Sequence, residues 1–415
     1  MEPKLRRGTA GARPAPHPAP SAPRTPPRSA WRPPAQSAPS LPLIVEAPQR
    51  RRVTMFSKNL LGGGAERVAV NLLQALPREL FDLELVLVEA WGAFLDRVPS
   101  DVPLTDLAKG KAVSKAIVPL ARHLQKHRPD VLLSHLAHAN VAAVLARELA
   151  RVPTKVVLVE HNDLSSLAHK QRSLPSRLLQ RFKADVYGRA DAVIGVSRGV
   201  CSYVERSFGV ADERLHTIYN PVVSDELIAK SYEPVTHPFF AAGGPPVLLA
   251  AGRMSEEKNY PLLLRAFRAL RQRRACKLII LGQGRLKAAL EAEARALGLE
   301  SEVAFPGFVA NPYAYMRRAS ALVVSSDREG LPTVLIEAMA CGCPVVSTDC
   351  PSGPREILEG GRWGPLVAVG DAEALAEATL RTLADPVPAE ALERRAAAFS
   401  FDNAITAYTA LLRAL

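Results

Sequence analysis

The chain has 415 residues, a net charge of +12 and five cysteines. That length suits two or three domains on a prior of about 150 residues each, and no apolar run is long enough to cross a membrane. Residues 1–52 hold ten Lys/Arg against two acids, so +8 of the +12 sits there, and the nearly neutral remainder does not mark a nucleic-acid protein.

Residues 1–52 also hold 13 of the 35 prolines. Without apolar periodicity they cannot bury enough surface to offset the entropy of ordering, so a disordered Pro/Arg-rich arm is expected. Its charge is not followed by an apolar core, so it does not read as a secretory signal. The cysteines (Cys201, Cys276, Cys341, Cys343, Cys350) are odd in number and lack metal-ligand spacing, which points to a reducing, cytoplasmic compartment.

From residue 53 short apolar runs alternate with longer helical ones. Val53–Phe56 reads as a strand, followed by Gly62-Gly63-Gly64 and a helix with Val68, Leu72, Leu73 and Leu76 on one face. Leu83–Val88, Val131–Ser134, Val156–Val159 and Ala192–Val196 read as further strands, with helices such as Ser114–His127 and Leu174–Tyr187 between them. Continuous Val, Leu and Ile imply a parallel sheet covered on both faces, hence a Rossmann-like domain over 53–223. Pro234, Pro238, Pro245, Pro246 and Gly243-Gly244 mark a linker over 224–246. A second series, 247–397, has strands at Val247–Ala251, Lys277–Leu281, Val303–Phe305, Ala321–Ser325 and Val345–Ser347. Helices at Tyr260–Gln272, Arg285–Leu297 and Pro332–Ala340 complete a second doubly wound α/β domain. Residues 398–415 carry Ile405, Tyr408, Leu411 and Leu412 at helical spacing, a helix expected to pack back across the linker.

In such sheets ligands sit beyond the carboxyl ends of the strands. There the chain places Asp327-Arg328-Glu329-Gly330-Leu331, then Pro332 opening a helix. The first-turn amides of Thr333, Val334 and Leu335 form an anion site. Glu337, one turn further, lies among Ile336, Ala338 and Met339, where a carboxylate needs a hydrogen-bonding partner. The two glutamates read as binders of sugar and ribose hydroxyls. A glycosidase acid/base pair is the weaker reading, since it needs no anion site between its carboxylates. Arg253 and Lys258, after the strand Val247–Ala251, suit a diphosphate leaving group and replace a metal ion. Gly63 and Gly64 let a ligand approach the backbone, but Arg67 stands where a dinucleotide fingerprint needs its third glycine, as does Lys287 after "GQG". His161 follows the strand Val156–Val159 and is either a structural hydrogen-bonder or a cleft residue. No D-x-D motif stands near a strand end, so no divalent metal is expected.

Together these features resemble the retaining glycosyltransferases of family 4 (group 1), with the GT-B fold, over roughly residues 53–390. Glu329 and Glu337 form the E-x7-E signature, joined by "GRMSEEKN", "GQG", "IGVSRGV" (194–200) and "YNPV" (219–222). The resemblance implies roles for each position. Arg253 and Lys258 hold the donor diphosphate, Glu337 the ribose, and Glu329 with the backbone of Gly330 and Leu331 the transferred sugar. His161 lines the sugar site; Gly63 and Gly64 lie near the diphosphate and the acceptor. It also implies a nucleotide-sugar substrate and no further cofactor. Many relatives have Gly-Phe-Gly after the first glutamate; Gly330-Leu331-Pro332 with "CPSGPREIL" (350–358) is similar to bacterial members that extend lipid-linked or cell-surface glycans, often from UDP-N-acetylhexosamines.

A lipid-linked acceptor needs a basic, membrane-facing first domain. Lys111, Lys115, Arg122, Lys126 and Arg128 flank Ile117, Leu120 and Leu124, and Arg172, Arg177, Arg181 and Lys183 form a second stretch. Either is an anionic-membrane contact or a solvated helix face. Two alternatives remain at this point: a nicotinamide-dependent oxidoreductase and a non-catalytic sugar-nucleotide binding module.

Overall fold

The computed structural model describes residues 50–61, 63–108, 110, 112–161 and 174–415. The expected arm up to residue 49 lies outside them, as do Gly62, Lys111 and Arg172. Arg51 and Arg52, counted with the arm from their charge, instead open the first strand opposite Phe81 and Asp82. Their guanidinium groups reach acceptors at the sheet margin, Arg52 donating to the His127 carbonyl at 2.9 Å.

The first half is built on seven strands, β1 (Arg51–Ser57), β2 (Phe81–Leu87), β3 (Leu104–Asp106), β4 (Val131–His135), β5 (Lys155–Glu160), β6 (Ala192–Gly195) and β7 (Leu215–Thr217). The second has six, β8 (Val247–Ala251), β9 (Lys277–Leu281), β10 (Val303–Gly307), β11 (Ala321–Val324), β12 (Val345–Thr348) and β13 (Leu366–Val367). Their orders, β3-β2-β1-β4-β5-β6-β7 and β10-β9-β8-β11-β12-β13, are the same doubly wound pattern. Every strand pairing is parallel. The order reverses between β1 and β4 and between β8 and β11, which opens a crevice at the carboxyl ends of those strands. The motifs that follow β1, β8 and β11 therefore lie at the two crevices.

Helices cover both faces of each sheet, and one apolar cluster runs through both halves. It joins Leu72 and Leu73 of the helix Gly64–Ala75 to Leu335 and Ile336, and on to Tyr408 and Leu412. The last two belong to the C-terminal helix Phe401–Ala414, which packs on Gly64–Ala75 in the first half. Two hydrogen bonds fix the crossing: Phe401 N–H donates to the Val223 carbonyl at 3.0 Å, and the Arg51 side chain, through Nη1, to that of Leu412 at 3.1 Å. Leu120 and Leu124 of the helix Ile117–His127 are buried in the first-half core, so those two do not serve a bilayer contact. Among the described residues no helix is long and apolar enough to cross a membrane.

Tyr408 is fully buried where the last helix meets the first half. Tyr408→Ala is expected to cost about 3–5 kcal/mol, the range for deleting a large buried ring, whereas Tyr408→Phe, which removes a buried hydroxyl with no partner, is neutral or stabilising. Denaturant unfolding of both variants checks this.

Candidate active site

The loop after β8 is shaped by its neighbour. Gly252 N–H donates to the Leu281 carbonyl at 3.0 Å and Met254 N–H to that of Gln283 at 2.8 Å. A Cβ at Gly282, where φ is +129°, would fall 2.0 Å from the Gly252 oxygen. "GQG" is thus a close loop-to-loop contact that holds the cationic loop. The same loop is stitched to the one after β11. Asn259 caps the helix Tyr260–Arg271 and donates to Asp327 at 2.7 Å. Asp327 N–H donates to the Glu257 carbonyl at 2.9 Å, and Ser325 Oγ to that of Lys258 at 2.8 Å.

This brings Lys258 Nζ to 2.6 Å from Glu329 Oε1, and Ser326 Oγ donates to the same oxygen at 2.6 Å. Ser326 is held in turn through its carbonyl, which accepts from Thr348 Oγ1 at 2.6 Å. The cation and the first glutamate are therefore one preassembled unit. Pro332 caps the helix Thr333–Ala340. Leu335 N–H donates to the Pro332 carbonyl at 3.0 Å, so of the three amides expected to bind an anion this one is already used.

Glu337 is only 8% exposed. Burial raises its pKa, and Arg67 and then Lys258 oppose that. Arg67 comes from the first half: its Nη1 lies 3.3 Å from Glu337 Oε1 and 3.4 Å from the Tyr313 hydroxyl. Burial, with Glu337 nearby, pushes the Tyr313 phenol up to about 12. Gly63 is close as well, since a Cβ there would stand 3.2 Å from Arg253 Nη2. The structure thus gathers Arg253, Lys258, Glu329, Glu337 and Gly63 between the carboxyl ends of two sheets.

His161, at the end of β5, is bonded within the first half. Its Nε2 lies 3.1 Å from His135 Nδ1, and its N–H donates to Glu160 at 3.1 Å. Burial lowers both imidazoles, His161 to about 4, and the short contact leaves room for only one shared proton. Asn162 beyond it lies outside the described residues. Among the described residues one His/Glu group, Glu84, His123 and His127, has metal-ligand proximity. Its two rings stack with centroids 4.2 Å apart and planes within 6°. A metal ion lies in the plane of each imidazole it binds, so rings stacked this way do not share one; Glu84 is instead bonded to His123 at 3.0 Å and to Thr54 at 3.1 Å.

The sequence reading missed Arg67 as a partner of Glu337, 270 residues away, and missed Ser326, Tyr313 and His135. For the last, a His at the end of a strand adjacent to that of His161 is a signal the pattern did carry.

Two doubly wound parallel domains, with cations and carboxylates at their carboxyl ends, make up a GT-B architecture. The chain matches the family described as "Glycosyltransferase Family 4" over residues 62–226 and that described as "Glycosyl transferases group 1" over residues 237–399. It is 30% identical over 374 residues to the N-acetylgalactosamine-N,N'-diacetylbacillosaminyl-diphospho-undecaprenol 4-alpha-N-acetylgalactosaminyltransferase of Campylobacter jejuni, spanning 87% of this chain and 98% of that one. It is 26% identical over 264 residues to the lipopolysaccharide 1,6-galactosyltransferase of Escherichia coli, spanning 62% of this chain and 67% of that one. Among solved structures it resembles Anabaena HepE in complex with UDP and glucose, with a TM-score of 0.73 and 21% identity over 88% of this chain and 100% of that one. The chain belongs to the group 1, or family 4, glycosyltransferases, and the oxidoreductase reading is set aside.

The histidine pair has a pH signature. Folding holds both imidazoles neutral, so below about pH 6.5 the unfolded chain takes up protons that the folded chain refuses. Their contribution to stability is complete above that pH and is lost as pH falls towards the His161 value of about 4. Glu337, whose pKa is raised, acts in the opposite sense. Replacing both histidines with Gln is expected to flatten the fall in unfolding free energy across this window, measured by denaturant titration at a series of pH values.

Proposed function

We propose that this glycosyltransferase moves a sugar, with retention and without a metal ion, from a UDP-sugar, a UDP-N-acetylhexosamine among them, to a lipid-linked or glycan acceptor. The observation that carries the reading is the Lys258–Glu329 unit, at 2.6 Å, beside the helix that bears Glu337. In this reading Arg253, Lys258 and the amides of Thr333 and Val334 hold the diphosphate, and Glu337 binds the ribose. Glu329 and the backbone of Gly330 and Leu331 hold the sugar, with His161 lining its site. Gly63 and Gly64 leave space for the diphosphate and the acceptor.

The bond between the anomeric carbon and the diphosphate oxygen breaks as the acceptor oxygen attacks from the same face. The acceptor proton passes to a phosphate oxygen, so no protein base is required. Fixed cations stabilise the charge developing on the leaving group without reorganising. The relatives' names, an undecaprenol-linked N-acetylgalactosaminyltransferase and a lipopolysaccharide galactosyltransferase, support a role in cell-surface polysaccharide synthesis. On the helix Leu174–Gly188, exposed Leu178, Leu179 and Phe182 sit among Arg177, Arg181 and Lys183. Such a surface suits an anionic bilayer and supports a position at the inner face of the cytoplasmic membrane, where a lipid carrier is met.

A nucleotide-release screen with UDP-, GDP- and ADP-sugars is expected to single out a UDP-sugar. With that donor, Glu337→Ala and Lys258→Ala should each lower kcat/KM by about 100-fold or more; wild-type rates in both variants would sink the assignment. Turnover is expected to persist in EDTA, and strict dependence on added Mg²⁺ or Mn²⁺ would refute the role given to Arg253 and Lys258.

A further inference from the structure

Two motifs have no part in the reading above, "IGVSRGV" (194–200) and the segment 350–358, and the structure brings them together across the two halves. Ser197 caps the helix Arg198–Phe208, its Oγ accepting from Val200 N–H at 3.1 Å. The same hydroxyl lies 3.0 Å from the Gly330 carbonyl oxygen and 2.9 Å from Ser352 Oγ. Ser352 Oγ donates to that carbonyl at 2.9 Å. Both hydroxyl protons therefore end on the Gly330 carbonyl, directly or through the other hydroxyl.

Glu356 closes the other side of this contact. Its two oxygens accept from Arg198 N–H at 3.1 and 3.0 Å, and Oε1 also accepts from the Tyr219 hydroxyl at 2.6 Å. The backbones approach just as closely. A Cβ at Gly199 would fall 2.7 Å from Ser352 Oγ and 2.8 Å from Ser352 Cα.

We propose that Ser197 is a positioning residue for the transferred sugar: docking of the two halves through Ser197, Ser352 and Glu356 sets the Gly330–Leu331 peptide. This rests on the reading that the loop Glu329–Leu331 holds the sugar. That peptide is trans, so its carbonyl and its N–H point in opposite directions. Two hydroxyls drawing on the Gly330 carbonyl aim the Leu331 N–H away from themselves and hold it there. The first half thereby sets the backbone that holds the sugar, in addition to the His161 side chain that lines its site. The side chains and amides assigned to hold the diphosphate and ribose (Arg253, Lys258, Thr333, Val334 and Glu337) lie in the second half, and the first-half residues beside them, Gly63 and Arg67, are not part of the Ser197 contact. UDP alone therefore binds without this contact, and sugar transfer requires it.

Gly199→Ala in the full chain tests the proposal. Alanine is the better helix former, so neither half is weakened while the added methyl meets Ser352. The expected result is a fall of about tenfold or more in kcat with the donor sugar and an affinity for UDP unchanged within about twofold. Ser197→Ala should behave alike and Ser197→Thr should restore the rate. Hydrogen exchange should be faster in Gly199→Ala than in wild type at the Arg198 N–H, which Glu356 holds across the contact, at an equal thermal midpoint. Wild-type kcat in Gly199→Ala, or a loss of UDP affinity in step with kcat, overturns the proposal. If wild type turns over no donor, it is the functional reading that fails. Hydrogen exchange still decides the contact, and unchanged exchange at Arg198 overturns it.

Discussion

A carboxylate buried in an apolar helix is the constraint on which the rest of the structure turns. Glu337 sits among Leu335, Ile336, Ala338 and Met339, all buried, and an isolated charge there costs several kcal/mol even after relaxation. Nothing on its own helix offsets that cost. The compensating guanidinium, Arg67, arrives from the other half of the molecule at 3.3 Å. The site's charge balance therefore depends on how the two halves are docked. That explains why the docking is fixed at several places: the C-terminal helix packed on Gly64–Ala75, the strand-like pairing of Val223 with Ser400, and the contact of Ser197 with Gly330.

The second half adopts the opposite strategy. Its polar groups are set by local stitching between two adjacent loops, so that Lys258, Ser326 and Glu329 meet without any contribution from the first half. Such preorganisation costs nothing at the moment of reaction and is what electrostatic stabilisation of a leaving group requires. A preassembled second half and a first half docked against it together give a cleft whose charged groups are all in place only when both are docked.

The strands were legible where they are buried on both faces, because β1, β4, β5, β8 and β9 then carry short apolar runs, rich in Val, Leu and Ile in all but β1. The short edge strands β3, β7 and β13 were not, since they run only two or three residues, and β3 and β7 carry Thr, His or Asp beside a single Leu. Arg51 and Arg52 were misassigned for a related reason: charge dominated the composition, while their backbones pair in the sheet. Within the site, Arg253, Lys258, Glu329 and Glu337 were legible because strand–loop–helix spacing is local. Arg67 against Glu337, Ser197 against Gly330 and His135 against His161 were not, because only the folded sheets bring such distant segments together.

The central claim is that Glu337 is buried there to receive the ribose of a nucleotide. Calorimetric titration of UDP and its 2′,3′-dideoxy analogue into wild type and Glu337→Ala tests it most directly. The account predicts that wild type binds UDP much the more tightly of the two ligands and that Glu337→Ala binds them nearly alike. An equal preference for UDP in both proteins would contradict it.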